Sequence, residues 1–173
     1  MKSIAIIAFL LCFGLVTCWW ETGHMTVSQI AEKRLAQLGE TVALQKFTTL
    51  VKAFENLTDG RSNTFVEAAV WADDIKDVNA TFFDSYHFTD VVYDPQYMFV
   101  GMTEPQKDVN SINVASSCMT VLKTNKEGVS FERAFMARYL LHLVGDIHQP
   151  LHSVTMYNST LKKGDAGGTI LVI

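Results

Sequence analysis

The sequence predicts a mainly α-helical domain with a short β segment at its C-terminal end. Apolar residues recur at helical spacing in five stretches, and hydrophobic residues form 49% of the chain, enough for one core. No internal repeat is visible, so a second domain is not indicated. After the glycine-rich loop Gly164–Gly168, residues 169–173 have the composition of a β-strand. Because the sequence stops inside this apolar run, we expect the domain to be incomplete.

Residues 1–18 are predicted to be a secretory signal peptide, which leaves one domain over residues 19–173. Lys2 supplies the positive start, and Ile4–Val16 forms an apolar stretch too short to span a bilayer comfortably. Val16 and Cys18 are small residues at the positions that a signal peptidase reads, so cleavage is expected before Trp19. A transmembrane anchor is the alternative for this segment. No later segment is long and apolar enough for one, so no membrane anchor is expected in the mature chain.

Five helices are predicted in the body of the domain. Residues 26–29, Thr-Val-Ser-Gln, have the pattern of a capping box that would open the first helix. Ile30, Leu35 and Leu38 would then face inward. The other four helices are predicted by apolar spacing over residues 40–54, 62–75, 105–123 and 130–147. Pro150 is expected to end the fifth helix and to return His152 from a loop.

Charge and cysteine usage restrict the class of protein. The net charge is −4 and becomes more negative when Lys2 is removed with the signal. This charge does not favour tight binding of a nucleic-acid duplex. Cys118 is the one cysteine after the signal, and it is either buried or separated from its disulfide partner. Secretion, or transport to a vacuole or lysosome-like organelle, also fits three N-glycosylation sequons, at Asn56, Asn79 and Asn158.

The segment 140–152, LLHLVGDIHQPLH, carries the strongest chemical signal. His142 and Asp146 are four residues apart, so both side chains leave the same face of a helix. His152 follows Pro150 and can approach the same face after a turn. Imidazole and carboxylate groups arranged in this way are typical zinc ligands. The alternative is a buried helix whose His142 bonds a neighbour; we interpret the whole pattern as a metal site.

Further candidate ligands lie elsewhere in the chain. Asp73 ends an apolar helical stretch in WADDIK, and His87 follows in the aromatic run FFDSYHF. Signal cleavage would leave the free amine of Trp19 five residues before His24, and an amine can ligate zinc. These groups exceed the needs of one tetrahedral site, so they predict a cluster of metal ions.

These motifs together resemble the zinc-dependent single-strand nucleases typified by nucleases S1 and P1, which have a phospholipase C/nuclease-like fold. The resemblance runs from Trp19 to Ile173 and corresponds to roughly the N-terminal three-fifths of a typical member. It rests on Trp19 with Gly-His at residues 23–24, on WADDIK, YHFTD and HLVGDIHQPLH, and on GDAGG at residues 164–168.

The resemblance implies three zinc ions in one cleft. The first would be held by Asp73, His87, His142 and Asp146. The second would be held by the amine and carbonyl of Trp19, by His24 and by Asp146, which bridges the two ions. The third would have His152 and two ligands from a later part of the family's sequence. Because those two are lacking, we expect the chain as given to have little nuclease activity. His148 matches a family histidine that is not a ligand, and a second-shell or core position is expected for it.

The resemblance also implies an activity: hydrolysis of single-stranded DNA and RNA to 5′-nucleotides, with a 3′-nucleotidase activity. Asp73 and Asp146 would be the catalytic carboxylates. Lys76 would lie near phosphate, Phe88 would stack on a base, and Asp90 would bond its edge, although Lys76 could be a solvated lysine and Phe88 a core residue. Gly167 and Thr169 would border the base, where Thr169 replaces the family's asparagine and weakens the expected grip.

Two alternatives stay open from the sequence. A zinc phospholipase C-like phosphodiesterase shares the fold, and the pair Phe88 and Asp90 favours a nucleotide over a lipid head group only modestly. A non-catalytic, truncated metal-binding remnant is the other alternative. No motif for a protein partner is visible, and a monomer is expected.

Overall fold

Helices predominate in the computed structural model, which describes residues 21–58, 61–97, 109–124, 128 and 130–168. The helices are α1 (Glu21–Gln37), α2 (Thr41–Lys52), α3 (Trp71–Asp74), α4 (Ser111–Lys123), α5 (Phe131–Ile147) and α6 (Pro150–Ser153). Four 3₁₀ turns lie at Glu55–Leu57, Glu67–Ala69, Ile75–Val78 and Thr81–His87. The mainly α-helical prediction is therefore confirmed. The predicted signal, Trp19, and the predicted strand with Thr169 lie outside the described residues.

Helix α5 is the centre of the domain and packs against α1, α2 and α4. It is apolar around most of its circumference, which is typical of a helix buried on all sides. One face joins the core cluster of Trp71 and Leu143, and another joins the cluster of Val51 and Leu141. The Ser130 hydroxyl caps the helix by accepting from the backbone N–H of Arg133 at 3.3 Å. The prediction of a helix over 130–147 is confirmed.

The predicted start of the first helix is wrong. Thr26 lies inside α1, and its hydroxyl donates to the carbonyl of Thr22 at 2.6 Å instead of capping the helix. The buried face of α1 carries His24 and Ser28, whereas Ile30 is 63% exposed. The helix is oriented by its contact with α5, and this contact buries two polar residues in preference to the larger apolar ones.

The predicted helix over 62–75 is broken into short pieces. Only α3 is α-helical, between the 3₁₀ turns that end at Ala69 and begin at Ile75. Ser62 has a left-handed backbone with φ of 62°, which a helix cannot continue through. Helices α2 and α4 are close to prediction, although α4 begins at Ser111, after a cap in which the Asn110 side chain accepts from Asn113 N at 3.0 Å.

A two-stranded parallel sheet joins β1 (Val91–Tyr93) to β2 (Val154–Met156), with Val91 opposite Val154. The sequence did not predict this pair, because strands of three residues are too short for an alternating pattern. His152 lies in α6, so the expectation of a loop there is wrong: Pro150 occupies the first turn of a new helix. The backbone N–H of Thr89 donates to the carbonyl of His152 at 2.7 Å and extends the pairing toward α6.

Cys118 is fully buried on α4, with its Sγ 3.5 Å from the Met136 Sδ. Burial raises the pKa of the thiol to about 11. Within the described residues Cys118 is a free thiol, which agrees with the buried alternative. No helix in the described part of the chain is both long and apolar enough to cross a membrane.

Candidate metal centre

Six of the seven predicted metal ligands meet at one point between α1, α3, α5 and α6. They come from sequence positions far apart, and four of them have at most 1% of their surface exposed. The six are His24, Asp73, His87, His142, Asp146 and His152. The seventh, Trp19, lies outside the described residues. The two groups whose donor atoms all lie within 4.8 Å of one another are His24, His142 and Asp146, and Asp73, His87 and His142.

The Asp146 carboxylate is the centre of this cluster and approaches four imidazoles. Its Oδ2 is 3.0 Å from His142 Nε2 and 3.0 Å from His87 Nδ1. Its Oδ1 is 3.0 Å from His152 Nδ1 and 3.5 Å from His24 Nε2. The two oxygens therefore face different sets of ligands, as a carboxylate shared between two ions would.

Asp73 approaches the same imidazoles from the outer side of the cluster. Its Oδ1 is 3.7 Å from both His87 Nδ1 and His142 Nε2, and its Oδ2 is 3.7 Å from His24 Nε2. Its side chain is 16% exposed and bonds Lys76 Nζ at 2.7 Å. Asp73 is thus the most solvent-exposed of the six described ligands, and a cation accompanies it.

The donor atoms fit a cation with nitrogen and oxygen ligands. His142 Nδ1 donates to the carbonyl of Ala69 at 2.6 Å, so in the neutral ring the lone pair of Nε2 faces the cluster. Both ring nitrogens of His24 are buried without a hydrogen-bond partner. Buried polar atoms are rarely left unpaired, and a metal ion would satisfy these. Imidazole and carboxylate are the donors that zinc takes.

The charges within the cluster favour the ligating protonation states of the carboxylates, His24 and His87, but not of His142. Burial lowers the pKa of His24 to about 4, with a further contribution from His142. Burial alone would raise the pKa of Asp146, but its contacts with His142, His152 and His87 outweigh burial and hold that pKa well below the usual range. Burial lowers the pKa of His87, whereas in His142 the contact with Asp146 outweighs burial and raises the pKa. At neutral pH the centre therefore has ionised carboxylates and a neutral His24.

Helix α1 and helix α5 approach so closely here that a side chain at Gly145 has no room. A Cβ at this position would lie 3.1 Å from Cε1 of His24 and closer still to Nδ1. The His24 ring also stacks on His142, with 3.9 Å between the ring centroids. Gly145 is not among the predicted site residues, although an isolated glycine inside a strongly helical pattern is a signal of close packing.

The predicted base-binding residues lie beside α6. The Phe88 ring is half-buried, with its centroid 4.7 Å from that of His152. Gly167 has φ of 68°, and a Cβ there would lie 2.7 Å from Cε1 of Phe88, so only glycine fits. Asp90 is exposed, and its Oδ1 accepts from the Thr155 hydroxyl at 2.7 Å. Thr169 lies outside the described residues.

His148 and the sequons lie away from the cluster's interior. His148 is exposed, and its Nδ1 donates to the carbonyl of Val144 at 2.6 Å, so the expectation of a core position is wrong.

Asn56 and Asn79 are exposed, whereas Asn158 is partly buried and its Oδ1 accepts from the N–H groups of residues 160 and 161. Glycosylation of these asparagines stays a prediction.

Comparison with known proteins gives one family and one curated relative. The S1/P1 nuclease family model matches residues 19–173. Nuclease S1 of Aspergillus oryzae is 28% identical over 140 residues, which cover 78% of this chain and 44% of the relative. The chain thus spans less than half the length of that relative. No solved structure matches.

Proposed function

The chain belongs to the S1/P1 nuclease family, and from this premise we propose that it carries the metal-binding part of a secreted, zinc-dependent nuclease for single-stranded DNA and RNA. The observation that carries the proposal is the convergence of His24, Asp73, His87, His142, Asp146 and His152 from four helices and one 3₁₀ turn. Members of this family are generally zinc-dependent, and the orphaned donor atoms of the cluster support zinc here.

We assign the ligands to three zinc positions. Asp73, His87, His142 and Asp146 would hold the first, and Trp19, His24 and Asp146 the second. His152 is the ligand that this chain offers to the third. Bound zinc would supply Lewis acidity, polarising phosphoryl oxygens and lowering the pKa of water. The close approach of Asp146 to both His24 and His142 supports its role as the shared ligand.

The protein's own side chains would orient the reacting groups. The contact with Lys76 and the nearby His142 outweigh burial and lower the pKa of Asp73, so its carboxylate is ionised at neutral pH. A solvent-accessible carboxylate in this state can orient a water molecule and accept its proton. The Lys76 ammonium, beside it at the edge of the cluster, can attract a phosphate group.

Recognition of a base would use the face of Phe88 and the edge-bonding carboxylate of Asp90. Stacking contributes roughly 1–3 kcal/mol per base and requires that the base be unstacked from its neighbours, which favours single strands. The bracing of Phe88 by Gly167 and His152 supports this role, because a fixed ring loses less entropy on binding. The net charge of −4 makes tight duplex binding unfavourable.

Metal content and oligonucleotide binding test this function together. We would express the full chain in a secreting host, load it with zinc, and measure zinc by elemental analysis. Binding of a phosphorothioate single strand should require zinc, should exceed binding of the duplex, and should weaken in Phe88→Ala. Hydrolysis of single-stranded DNA by the same preparation is expected to be low, and whatever hydrolysis it shows should be lost in Asp73→Asn. Metal-independent binding, or equal binding of duplex and single strand, would contradict the proposal.

A further inference from the structure

Outside the ligand cluster, three charged side chains join the two elements that carry His24 and Asp73. Arg61 Nε and Nη2 donate to Oδ2 and Oδ1 of Asp74, each at 3.1 Å, and Nη2 also donates to Glu21 in the first turn of α1. Glu21 precedes His24 by three residues on α1, and Asp74 directly follows Asp73 on α3. We name Glu21, Arg61 and Asp74 the Arg61 brace.

The brace and a contact inside the cluster link the same two helices. There, His24 Nε2 and Asp73 Oδ2 meet at 3.7 Å across the same gap between α1 and α3. His24 is fully buried and is fixed by packing, whereas Asp73 is 16% exposed and lies on a helix of four residues. Packing therefore fixes the position of Asp73 less firmly than that of His24. The brace contacts Asp74, the residue that follows Asp73 in the sequence.

The segment that presents Arg61 is itself anchored to the core. The Ser62 hydroxyl donates to Asp74 Oδ2 at 3.1 Å, and the Ser62 carbonyl accepts from Nη1 of Arg138 at 2.6 Å. Arg138 Nη2 also donates to Oδ1 of Asn63 at 3.1 Å. Arg138 is fully buried on α5, one turn before His142. The brace is thus connected to the helix that supplies two further ligands.

Exposure limits what the brace can contribute to folding. The side chains of Arg61, Glu21 and Asp74 are 53%, 42% and 27% exposed, and ion pairs in such positions add little to stability. In contrast, residues that orient metal ligands commonly alter metal affinity by roughly 10- to 100-fold. We propose that Arg61 is a positioning residue of the metal centre, which holds α1 and α3 together so that His24 and Asp73 stay aligned for a divalent cation. This inference rests on the metal centre of the proposed function.

If Arg61 acts only through its charge, replacing it should raise the affinity for a divalent cation. If it positions the ligands, replacing it should lower that affinity, so the two roles can be told apart. Removing a cation near the cluster should, by electrostatics alone, tighten the binding of a divalent cation. If Arg61 positions the ligands, Arg61→Gln should weaken it. Lysine cannot bond Asp74 bidentately while it also reaches Glu21, so Arg61→Lys should restore only part of the affinity.

The experiment is a titration of the metal-free full chain with Co²⁺, followed by its visible absorbance. Arg61→Gln is expected to bind about 10-fold or more weakly, while its metal-free melting temperature stays close to that of the wild type. Arg34→Gln, which removes an exposed arginine from the other end of α1, is the control and should bind as the wild type does. Glu21→Gln should add little to Arg61→Gln, because both remove the same contact.

Each result decides between the alternatives. Unchanged or tighter Co²⁺ binding by Arg61→Gln would overturn the positioning role and leave the metal centre intact. A loss of metal-free melting temperature in proportion to the loss of affinity would assign Arg61 to stability, and Arg61→Lys, which keeps the charge, repeats this comparison if Arg61→Gln fails to fold. A wild-type chain that binds no Co²⁺ would overturn both this inference and the metal centre of the proposed function.

Discussion

The carboxylate of Asp146 lies within 3.5 Å of four imidazole rings, more than any other ligand in the cluster. Asp146→Asn keeps the size of the side chain but removes the charge that would balance two cations. We expect fewer zinc ions per chain in this variant, measured by elemental analysis of protein purified without chelators. His148→Asn is the matched control, because His148 is exposed on the adjoining turn and should leave zinc content unchanged. Equal zinc content in Asp146→Asn and wild type would remove the bridging role.

Gly145 gives a prediction whose sign opposes helix propensity. In an ordinary helix interior, replacing glycine by alanine stabilises by roughly 1 kcal/mol. At Gly145 the added methyl group would meet the His24 ring, and overpacking of this kind costs about 1–3 kcal/mol. We therefore expect Gly145→Ala to lower the free energy of unfolding in urea and to reduce zinc content. A more stable variant with full zinc content would show that α1 can move away from α5 without loss.

At the scale of elements, Arg138 connects α5 to the end of α2 and to residues 62 and 63. Its guanidinium donates to the carbonyls of Val51 at 2.7 Å and Ser62 at 2.6 Å, and its carbon Cζ lies 5.3 Å from the ring centroid of Phe54. Arg138→Met would fill similar space but leave the buried Ser62 carbonyl unpaired, at about 1–3 kcal/mol, and leave the Val51 carbonyl with only the N–H of Phe54, at 3.3 Å. We expect a loss of at least about 1 kcal/mol in the free energy of unfolding.

Urea unfolding of Arg138→Met beside Arg34→Met measures that loss. Arg34 is exposed at the end of α1, so its substitution should change stability by less than about 0.5 kcal/mol. Equal effects of the two substitutions would mean that water satisfies the carbonyls of Val51 and Ser62, and that Arg138 does not connect the elements energetically.

Elements with a regular apolar pattern could be predicted, and irregular ones could not. The predicted bounds of helix α5 agree closely with the observed ones, because its apolar pattern is continuous and Ser130 caps it. The segment over 62–75 has apolar residues at helical spacing, but the left-handed Ser62, whose carbonyl is bound by a distant arginine, prevents a regular helix from beginning there. No local signal records that arginine, since 76 residues separate it from Ser62.

The ligands of the metal centre also differ in how far the sequence alone predicts them. Spacing alone places His142 and Asp146 on one face of a helix, but it cannot bring His24, Asp73 or His87 to them. Those three were joined to the site by motifs that resemble a family, and the structure brings all of them together. The Arg61 brace has no comparable signature, because exposed charged residues 40 and 13 positions apart follow no period.

For the molecule as a whole, acidification should act on stability through His24. Its pKa in the fold, about 4, is below its ordinary value of 6.5, so the unfolded chain binds the proton more readily. The stability contributed by neutral His24 is complete above pH 6.5, is lost between pH 6.5 and 4, and changes no further below that. His142 has the opposite sign, because its pKa is raised and the stability from its charge is lost as pH increases.

Comparing metal-free wild type with His24→Gln measures this effect together with the coupling of His24 to His142 and Asp146. The difference between their free energies of unfolding should shrink on acidification from pH 6.5 to 4, by at most about 3 kcal/mol at 1.36 kcal/mol per pKa unit. Urea unfolding at a series of pH values measures it. A difference that is constant across this range would mean that His24 is protonated as readily in the fold as in the unfolded chain.

The wide separation of the ligands along the chain determines when the metal centre can form during synthesis. His24 is made early, whereas His142, Asp146 and His152 are made only after more than a hundred further residues. Until α5 emerges from the ribosome, His24 has neither its stacking partner nor its carboxylate, and α1 has no helix to cover its polar inner face. The centre can therefore assemble only after residues 140–152 have left the ribosome, and metal uptake follows that stage of synthesis.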